Sequence, residues 1–460
     1  MDSSPSAPSP AAALTPRQWR GMAAILISIA LATLDTAIAN TALPTIAADL
    51  HASPAASVWI INAYQLAAVA TLLPLAALGS IVGPRKVYLG GLLLFVVASG
   101  LCSLAWSLPA LTVARVLQGL GASAIMSVNA ALIGQIFPRE RLGRGLGMNA
   151  LVVGTSFAAG PTIASLVLSV ASWPWLFAIN LPIGLFAVVF GWNSLPASHS
   201  RAELPFDRLT ALLNVITFGA LIFALGQAAQ LGSLASVLGG LAVFLVAGAM
   251  MLRRETGHPA PMFPLDLLKR PMFALSALTA FCAFATQGLA FVSLPFFFET
   301  TLGRDPIQTG FLMTPWSVIV AAIAPIAGRL SDRYPPGLLG GVGLATMSAG
   351  MLSLVWLPSE PSAMDIVLRM ILCGLGFGFF QAPNQKALMT SAPRVRASGA
   401  SGTIATARLI GQATGAALVA LSFGIAGDHG PLLALGLGAG FAAVGSVASG
   451  LRLVTRNDVN

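Results

Sequence analysis

The stretch LATLDTAIANTALPTI (31–46) sets a single carboxylate, Asp35, within a run otherwise built of apolar and small residues. Which fold can hold that run is decided by its surroundings. Apolar residues extend it over 21–43, and a helix rising 1.5 Å per residue needs about 20 residues to cross a hydrocarbon core of roughly 30 Å. Comparable runs recur along nearly the whole chain of 460 residues, of which 56% are hydrophobic and 8% charged. The mean hydropathy is +0.85. Barrel strands would instead alternate apolar and polar residues over about 10 positions. The chain therefore reads as an all-α integral membrane protein.

The runs predict fourteen spans, at about 21–43, 57–79, 87–107, 109–134, 145–170, 174–193, 210–230, 234–252, 273–297, 309–331, 338–357, 363–383, 398–425 and 431–451. Of the 24 Lys and Arg residues, Arg115, Arg369 and Arg408 fall inside spans. With both termini in the cytoplasm only Arg304 falls outside, and all the others occupy cytoplasmic segments. This asymmetry supports the even number of crossings and the orientation. The formal charge of +9 is spread in small groups between apolar runs rather than gathered in an arm or patch, which argues against nucleic acid as a partner. Cys102, Cys282 and Cys373 lie in separate spans and the four histidines are scattered, so neither a disulfide framework nor a metal site is expected.

Three pairs of segments repeat. GRLSDR (328–333) resembles SIVGPR (80–85), Arg369 before GLGFG (374–378) resembles Arg115 before GLG (119–121), and Gly415 in GQATGAAL resembles Gly160 in GTSFAAGP. The pattern predicts two parallel six-helix bundles, 21–193 and 273–453, with a 194–272 linker that inserts a seventh and an eighth helix. A disordered tail over 1–20 precedes them and a short tail over 454–460 follows. Carriers commonly use this design, with a substrate site at the midplane between the repeats.

The motifs resemble the major facilitator superfamily, and within it the 14-helix drug:proton antiporter group of the EmrB/QacA type. LDTAIANTALPTI (34–46) is similar to that group's first-helix signature, with Asn40 and Pro44 following the aspartate. WIINAYQLA (59–67) resembles its second-helix opening, and LTVARVLQGLGASA (111–124), with Arg115, Gln118 and Gly119, its fourth-helix motif. GTSFAAGP (154–161), with Gly154, Gly160 and Pro161, resembles the antiporter motif of the fifth helix; WPWLFAINLPIG (173–184) and TGFLMTPW (309–316) are further matches. Ala76 and Ser80 stand, ahead of Arg85, where the loop after the second helix would carry Gly-x-x-x-Asp. Gly328, Asp332 and Arg333 keep that pattern in the second half. Ala164 and Ser165 replace two glycines at the end of the fifth-helix motif. The resemblance implies a proton-coupled multidrug exporter of lipophilic, cationic compounds such as antiseptics, dyes and antibiotics. It would work by alternating access, as a monomer, in a bacterial cytoplasmic membrane.

Depth and helical phase give Asp35 a role of its own. It lies about 21 Å from the cytoplasmic edge of its span, and Arg115 about 9 Å below the outer edge of the fourth, so in a core of roughly 30 Å they share a level. A lone carboxylate there costs about 2.5–3.5 kcal/mol and seeks a partner or a water-filled cavity. Ser28, Ala32, Asp35, Ala39 and Ala42 form one small, slightly polar stripe. Burial favours a neutral carboxyl and a nearby guanidinium a charged one, so a change in the Asp35–Arg115 separation would take up and release a proton. A static salt bridge would use the same pair. The glycines of the fourth and fifth spans suit close approach and bending, although packing alone would also select them. Tyr64, Gln65, Phe284, Gln287, Phe291, Trp316, Phe377, Phe380, Gln381 and Asn384 are candidates to line a cavity for flat or cationic molecules. Any single aromatic among them would equally suit lipid or core packing.

One feature departs from a cation exporter. Three arginines lie inside spans with Asp35 as the deep acid, since Glu299 and Asp365 sit near outer ends and position 289, one repeat after Asp35, is leucine. Arg369 and Arg408 would then bond helix carbonyls, or serve a neutral or anionic cargo. No GxxxxGK[ST] loop is present, which leaves an ion gradient, and no cofactor, as the energy source. At about 180 mV one proton supplies roughly 4 kcal/mol, nearly a thousandfold gradient of neutral cargo. No nucleophile–base set appears at depth. The remaining rivals are an exporter of one metabolite, such as a sugar, amino acid or siderophore, and a receptor-like protein without turnover.

Overall fold

A computed structural model describes residues 15–138, 141–197, 207–229, 233–256, 265–358, 360–391 and 397–455, and among these every regular element is helical. The first bundle comprises α1 (Pro16–Thr41), α2 (Trp59–Val82), α3 (Pro84–Ser103), α4 (Leu108–Ile136), α5 (Leu142–Leu168) and α6 (Asn180–Ser194). α7 (Arg208–Ala229) and α8 (Leu234–Glu255) follow. The second bundle comprises α9 (Pro271–Phe296), α10 (Pro306–Leu330), α11 (Pro336–Val355), α12 (Ala363–Ser391), α13 (Ala397–Ala426) and α14 (Gly430–Leu451). By length and apolarity 13 segments can cross a membrane, and the last of these, Thr403–Leu451, runs through both α13 and α14. A 3₁₀ turn over Gly427–His429 separates those two, so fourteen helices stand where the sequence predicts fourteen spans.

The first helix begins earlier than the expected tail boundary at residue 20. Thr15 accepts from the Gln18 amide while the Gln18 side chain accepts from the Thr15 amide, and Pro16 opens the first turn, so a capping box starts the helix at Pro16. Of the expected tails over 1–20 and 454–460, residues 1–14 and 456–460 lie outside the described residues, as do the loop residues Arg139, His199, Arg201, His258, Arg394 and Arg396.

The internal repeat is built into the packing. A Cβ on Gly121 would fall 2.6 Å from the Phe95 amide and 2.7 Å from the Gly91 carbonyl; one on Gly376 would fall 2.4 Å from the Met347 amide and 2.6 Å from the Gly343 carbonyl. Likewise a Cβ on Gly119 would meet the Tyr64 carbonyl and one on Gly374 the Trp316 carbonyl. The same helix pairs thus touch backbone to backbone in both halves, through small residues of the kind that pack membrane helices.

Fourteen crossings place both chain ends at one face. Toward that face each bundle has its own apolar core, with Met22, Val87 and Ile133 in the first and Phe273, Leu344 and Leu388 in the second. At the opposite face one core joins the two: Leu43 and Ile46 of the short helix Leu43–Asp49 pack with Val292, Phe296, Val419 and Ala420. Hydrogen bonds cross the same seam, between the hydroxyls of Thr162 and Thr314 (2.8 Å) and from the Ser165 hydroxyl to the Pro306 carbonyl (3.4 Å). The two halves are therefore joined on the far side, and a smaller core of Ala68, Val69, Leu72 and Leu409 joins them again near mid-span. α7 packs against α2 and α13 along one flank of this seam, and α8 packs on α7. Asp207 caps α7 by accepting from the Leu209 and Thr210 amides. The Thr210 hydroxyl and amide, with desolvation opposing and Arg254 assisting, hold its carboxyl low, at about 2.

Candidate functional site

Asp35 lies in the interior of the first bundle, 2% exposed. Its stripe along α1, from Ser28 to Ala42, is buried throughout. One carboxylate oxygen accepts from Arg115 Nη1 at 2.5 Å, and the other from Gln118 Nε2 and Asn180 Nδ2, each at 2.8 Å. Gln118 also accepts from Arg115 Nη1 and donates to the Ser99 hydroxyl. Arg115 is fully buried, with Nε on the Ile60 carbonyl at 3.2 Å. Its guanidinium carbon stands 4.3 Å from the centre of the Tyr64 ring and 5.6 Å from that of Phe177. Five helices converge here: α1 supplies the acid, α4 the guanidinium and amide, α2 the covering ring, α3 Ser99 and α6 Asn180. Asn180 and Ser99 were not singled out from the sequence. Asn180 is the first residue of its helix and sits inside the matched stretch WPWLFAINLPIG, which was the available signal.

A cavity lies between the bundles, holding about 710 Å³ of space, its open mouth included. Thr33, Tyr64, Gln65, Met126, Gly154 and Phe157 line it from the first bundle, and Phe284, Gln287, Phe377, Gln381, Arg408 and Gln412 from the second. Tyr64 belongs to both sites: its ring covers Arg115, and its hydroxyl donates to the Ala32 carbonyl at 3.3 Å. Asp35 and Arg115 do not reach the cavity wall. Polar groups await partners in or beside that wall, since Thr33 Oγ1 and Gln65 Oε1 are buried without a hydrogen bond.

Of the ten residues expected to line a cavity, Tyr64, Gln65, Phe284, Gln287, Phe377 and Gln381 do so. Phe291, Trp316 and Phe380 instead fill the core of the second bundle, each 1% exposed, with Phe291 edge-on to Trp316 at 5.3 Å. Asn384 is held at the termini face, where it donates to the Ser276 carbonyl and accepts from Arg452. The sequence assigns Arg452 to a cytoplasmic segment, yet it is 3% exposed among Ser276, Asn384 and Ser449. Burial lowers its pKa to about 10.

The motif residues divide in the same way. Gly160 packs on Ala37, whose Cβ would stand 2.3 Å from an added Cβ, whereas Gly154 has nothing within 4 Å and borders the cavity. Close helix contact is thus the work of Gly160 and not of Gly154. Pro161 presents its carbonyl to Gly310 and Ser165, and Gly310 leaves room for the Ser165 hydroxyl, so the contact survives with serine in place of glycine. Ser80 bonds only its own helix, at the Ala77 carbonyl, and Arg85 reaches the Trp192 carbonyl at 2.5 Å. In the second half Asp332 pairs with Lys386 Nζ at 2.5 Å, not with Arg333, which is exposed; Gly328 has open space beside it. Arg369 pairs with Asp365 one turn away, at 3.0 Å, and donates to the Ser353 carbonyl. Leu289, one repeat after Asp35, is fully buried.

The fold has known counterparts. The family model described as Major Facilitator Superfamily matches residues 25–416. The chain is 49% identical over 439 residues, 95% of its own length and 96% of the other's, to an uncharacterized transporter, YebQ, of Escherichia coli strain K12. It is 31% identical over 414 residues, 89% of this chain and 77% of the other, to the tetracenomycin C resistance and export protein of Streptomyces glaucescens. Its fold matches the crystal structure of a bacterial homologue of the human lysosomal transporter Spinster, in an inward-facing and unoccupied conformation, with a TM-score of 0.68 at 13% identity, covering 96% of this chain and 98% of that one. Two repeated six-helix bundles around a central cavity, with these matches along the chain, make this protein a transporter, not an enzyme, that belongs to the Major Facilitator Superfamily.

Proposed function

We propose that this transporter is a proton-coupled exporter of lipophilic aromatic compounds, of the 14-helix drug:proton antiporter group. It would sit in a bacterial cytoplasmic membrane with both termini in the cytoplasm, working as a monomer. The observation that carries the reading is the placement of Asp35, buried against Arg115 one ring away from a cavity that it does not line. Cargo entering from the cytoplasmic mouth presses on Tyr64, and displacement of that ring separates or exposes the pair behind it. Asp35 is the proton carrier in this reading, loaded in one state of the cycle and unloaded in the other. The export of tetracenomycin C by a relative supports an outward direction, and the rings of Tyr64, Phe284 and Phe377 in the cavity wall support an aromatic cargo.

Purified protein in liposomes tests this directly. An imposed pH gradient drives accumulation of an aromatic dye, accompanied by dye-dependent proton movement, and Asp35→Asn abolishes both. A wild-type protein that moves dye without any response to the gradient would remove proton coupling, and normal pumping by Asp35→Asn would remove Asp35 from it.

A further inference from the structure

Three arginines lie within the spans, and two of them face carboxylates: Arg115 pairs with Asp35 and Arg369 with Asp365. Arg408 differs. No described residue accepts a hydrogen bond from it or forms an ion pair with it, and among the described residues lining the central cavity it is the one charged side chain. It stands eleven residues into α13, which is about 16 Å from the start of that helix at 1.5 Å per residue. That is mid-membrane, where an ionised side chain is costly to keep and marks a cargo or ion path.

We propose that the cavity takes cargo bearing an anionic group, a carboxylate, sulfonate or ionised phenol on a flat aromatic frame, and that Arg408 is the group's anchor. This deepens the exporter reading above and rests on it. The guanidinium presents a planar fork of N–H donors, which matches an oxyanion with two parallel hydrogen bonds. Tyr64, Phe284 and Phe377 supply ring faces in the same wall, and Gln65 and Gln381 supply amides. A cationic cargo finds no carboxylate there among the described residues. The nearest acid, Asp35, is already saturated by Arg115, Gln118 and Asn180 and lies behind Tyr64. A cation would therefore enter against Arg408 with nothing to neutralise it, whereas an anion neutralises the one unpaired charge of the wall.

Fluorescein and rhodamine 123 share a xanthene frame and carry opposite charge at neutral pH, which makes them a matched pair of probes. Equilibrium binding to the purified full-length protein, read by fluorescence anisotropy with no gradient present, is expected to favour fluorescein by about tenfold or more. Arg408→Gln should bring the two dyes to within about twofold, while Arg408→Lys keeps the sign of the preference at reduced size. Thermal unfolding of each variant, run alongside, separates loss of the anchor from loss of the fold. Equal or tighter binding of rhodamine 123 by the wild type, absence of fluorescein binding, or an anion preference undiminished in folded Arg408→Gln overturns the proposal. Because binding requires no gradient, dye flux indifferent to protons would remove the coupling reading and leave Arg408 in place.

Discussion

At the scale of the residue, the Asp35–Arg115 pair is a closed account of charge. Both partners are out of solvent, and three amide or guanidinium donors satisfy the carboxylate. Neutralising one partner strands the other, which costs roughly 3–5 kcal/mol for a buried pair. Asp35→Asn is therefore expected to lower the thermal unfolding temperature as well as to uncouple transport. Adding Arg115→Gln to it should recover most of the lost stability and none of the proton-driven flux, because it removes the stranded charge without restoring a titratable group. Unfolding curves of the two single variants and the double variant measure this coupling; strictly additive losses would show that the two side chains do not interact in the folded protein.

At the scale of the element, the glycines separate into those that let helices touch and those that leave space. An added Cβ at Gly119 would stand 2.3 Å from the Tyr64 carbonyl and 3.0 Å from the Ala67 Cβ, both fixed by α2. Gly119→Ala must push α4 away from α2, at a cost of about 1–3 kcal/mol for an overpacked core. Gly154→Ala meets nothing within 4 Å and gains up to about 1 kcal/mol of helix propensity, at the price of a methyl group in the cavity wall. Thermal unfolding in detergent should accordingly place the two variants on opposite sides of the wild type. A Gly119→Ala protein as stable as Gly154→Ala would contradict the α2–α4 contact.

At the scale of the whole molecule, packing that joins the two halves at the far face is what alternating access must break. The far-side seam is made of apolar packing and a few hydroxyl contacts, with no ion pair among its described residues. Such a seam can part at modest electrostatic cost. Thr162→Cys combined with Thr314→Cys puts two thiols where the hydroxyls are 2.8 Å apart. On oxidation they are expected to form a disulfide that holds the far side shut and stops transport, with activity returning on reduction. Full transport by the cross-linked protein would mean that the halves do not separate at this point. The charge of the cargo also has a consequence here. Export of an anion moves charge with an inside-negative potential, at about 2.3 kcal/mol per charge per 100 mV, while a cation moves against it.

The helical membrane-spanning class, the number of long helices, the internal repeat and the shared depth of Asp35 and Arg115 could all be read from the sequence. They depend on run length and residue spacing, which are properties along one dimension. The choice of face could not be read in the same way. These helices are apolar nearly all round, so Phe284 and Phe377 on the cavity wall look no different from Phe291, Trp316 and Phe380 in the core. Partners remote in sequence were equally hidden: Asn180 completes the Asp35 cluster, Lys386 takes Asp332, and Arg452 is drawn under Asn384. Only the tertiary structure decided that Arg115 and Arg369 are neutralised while Arg408 lines the cavity with no ion-pair partner among the described residues. A buried charge is defined by what the fold brings to within a few ångströms of it, and no spacing along the chain specifies that.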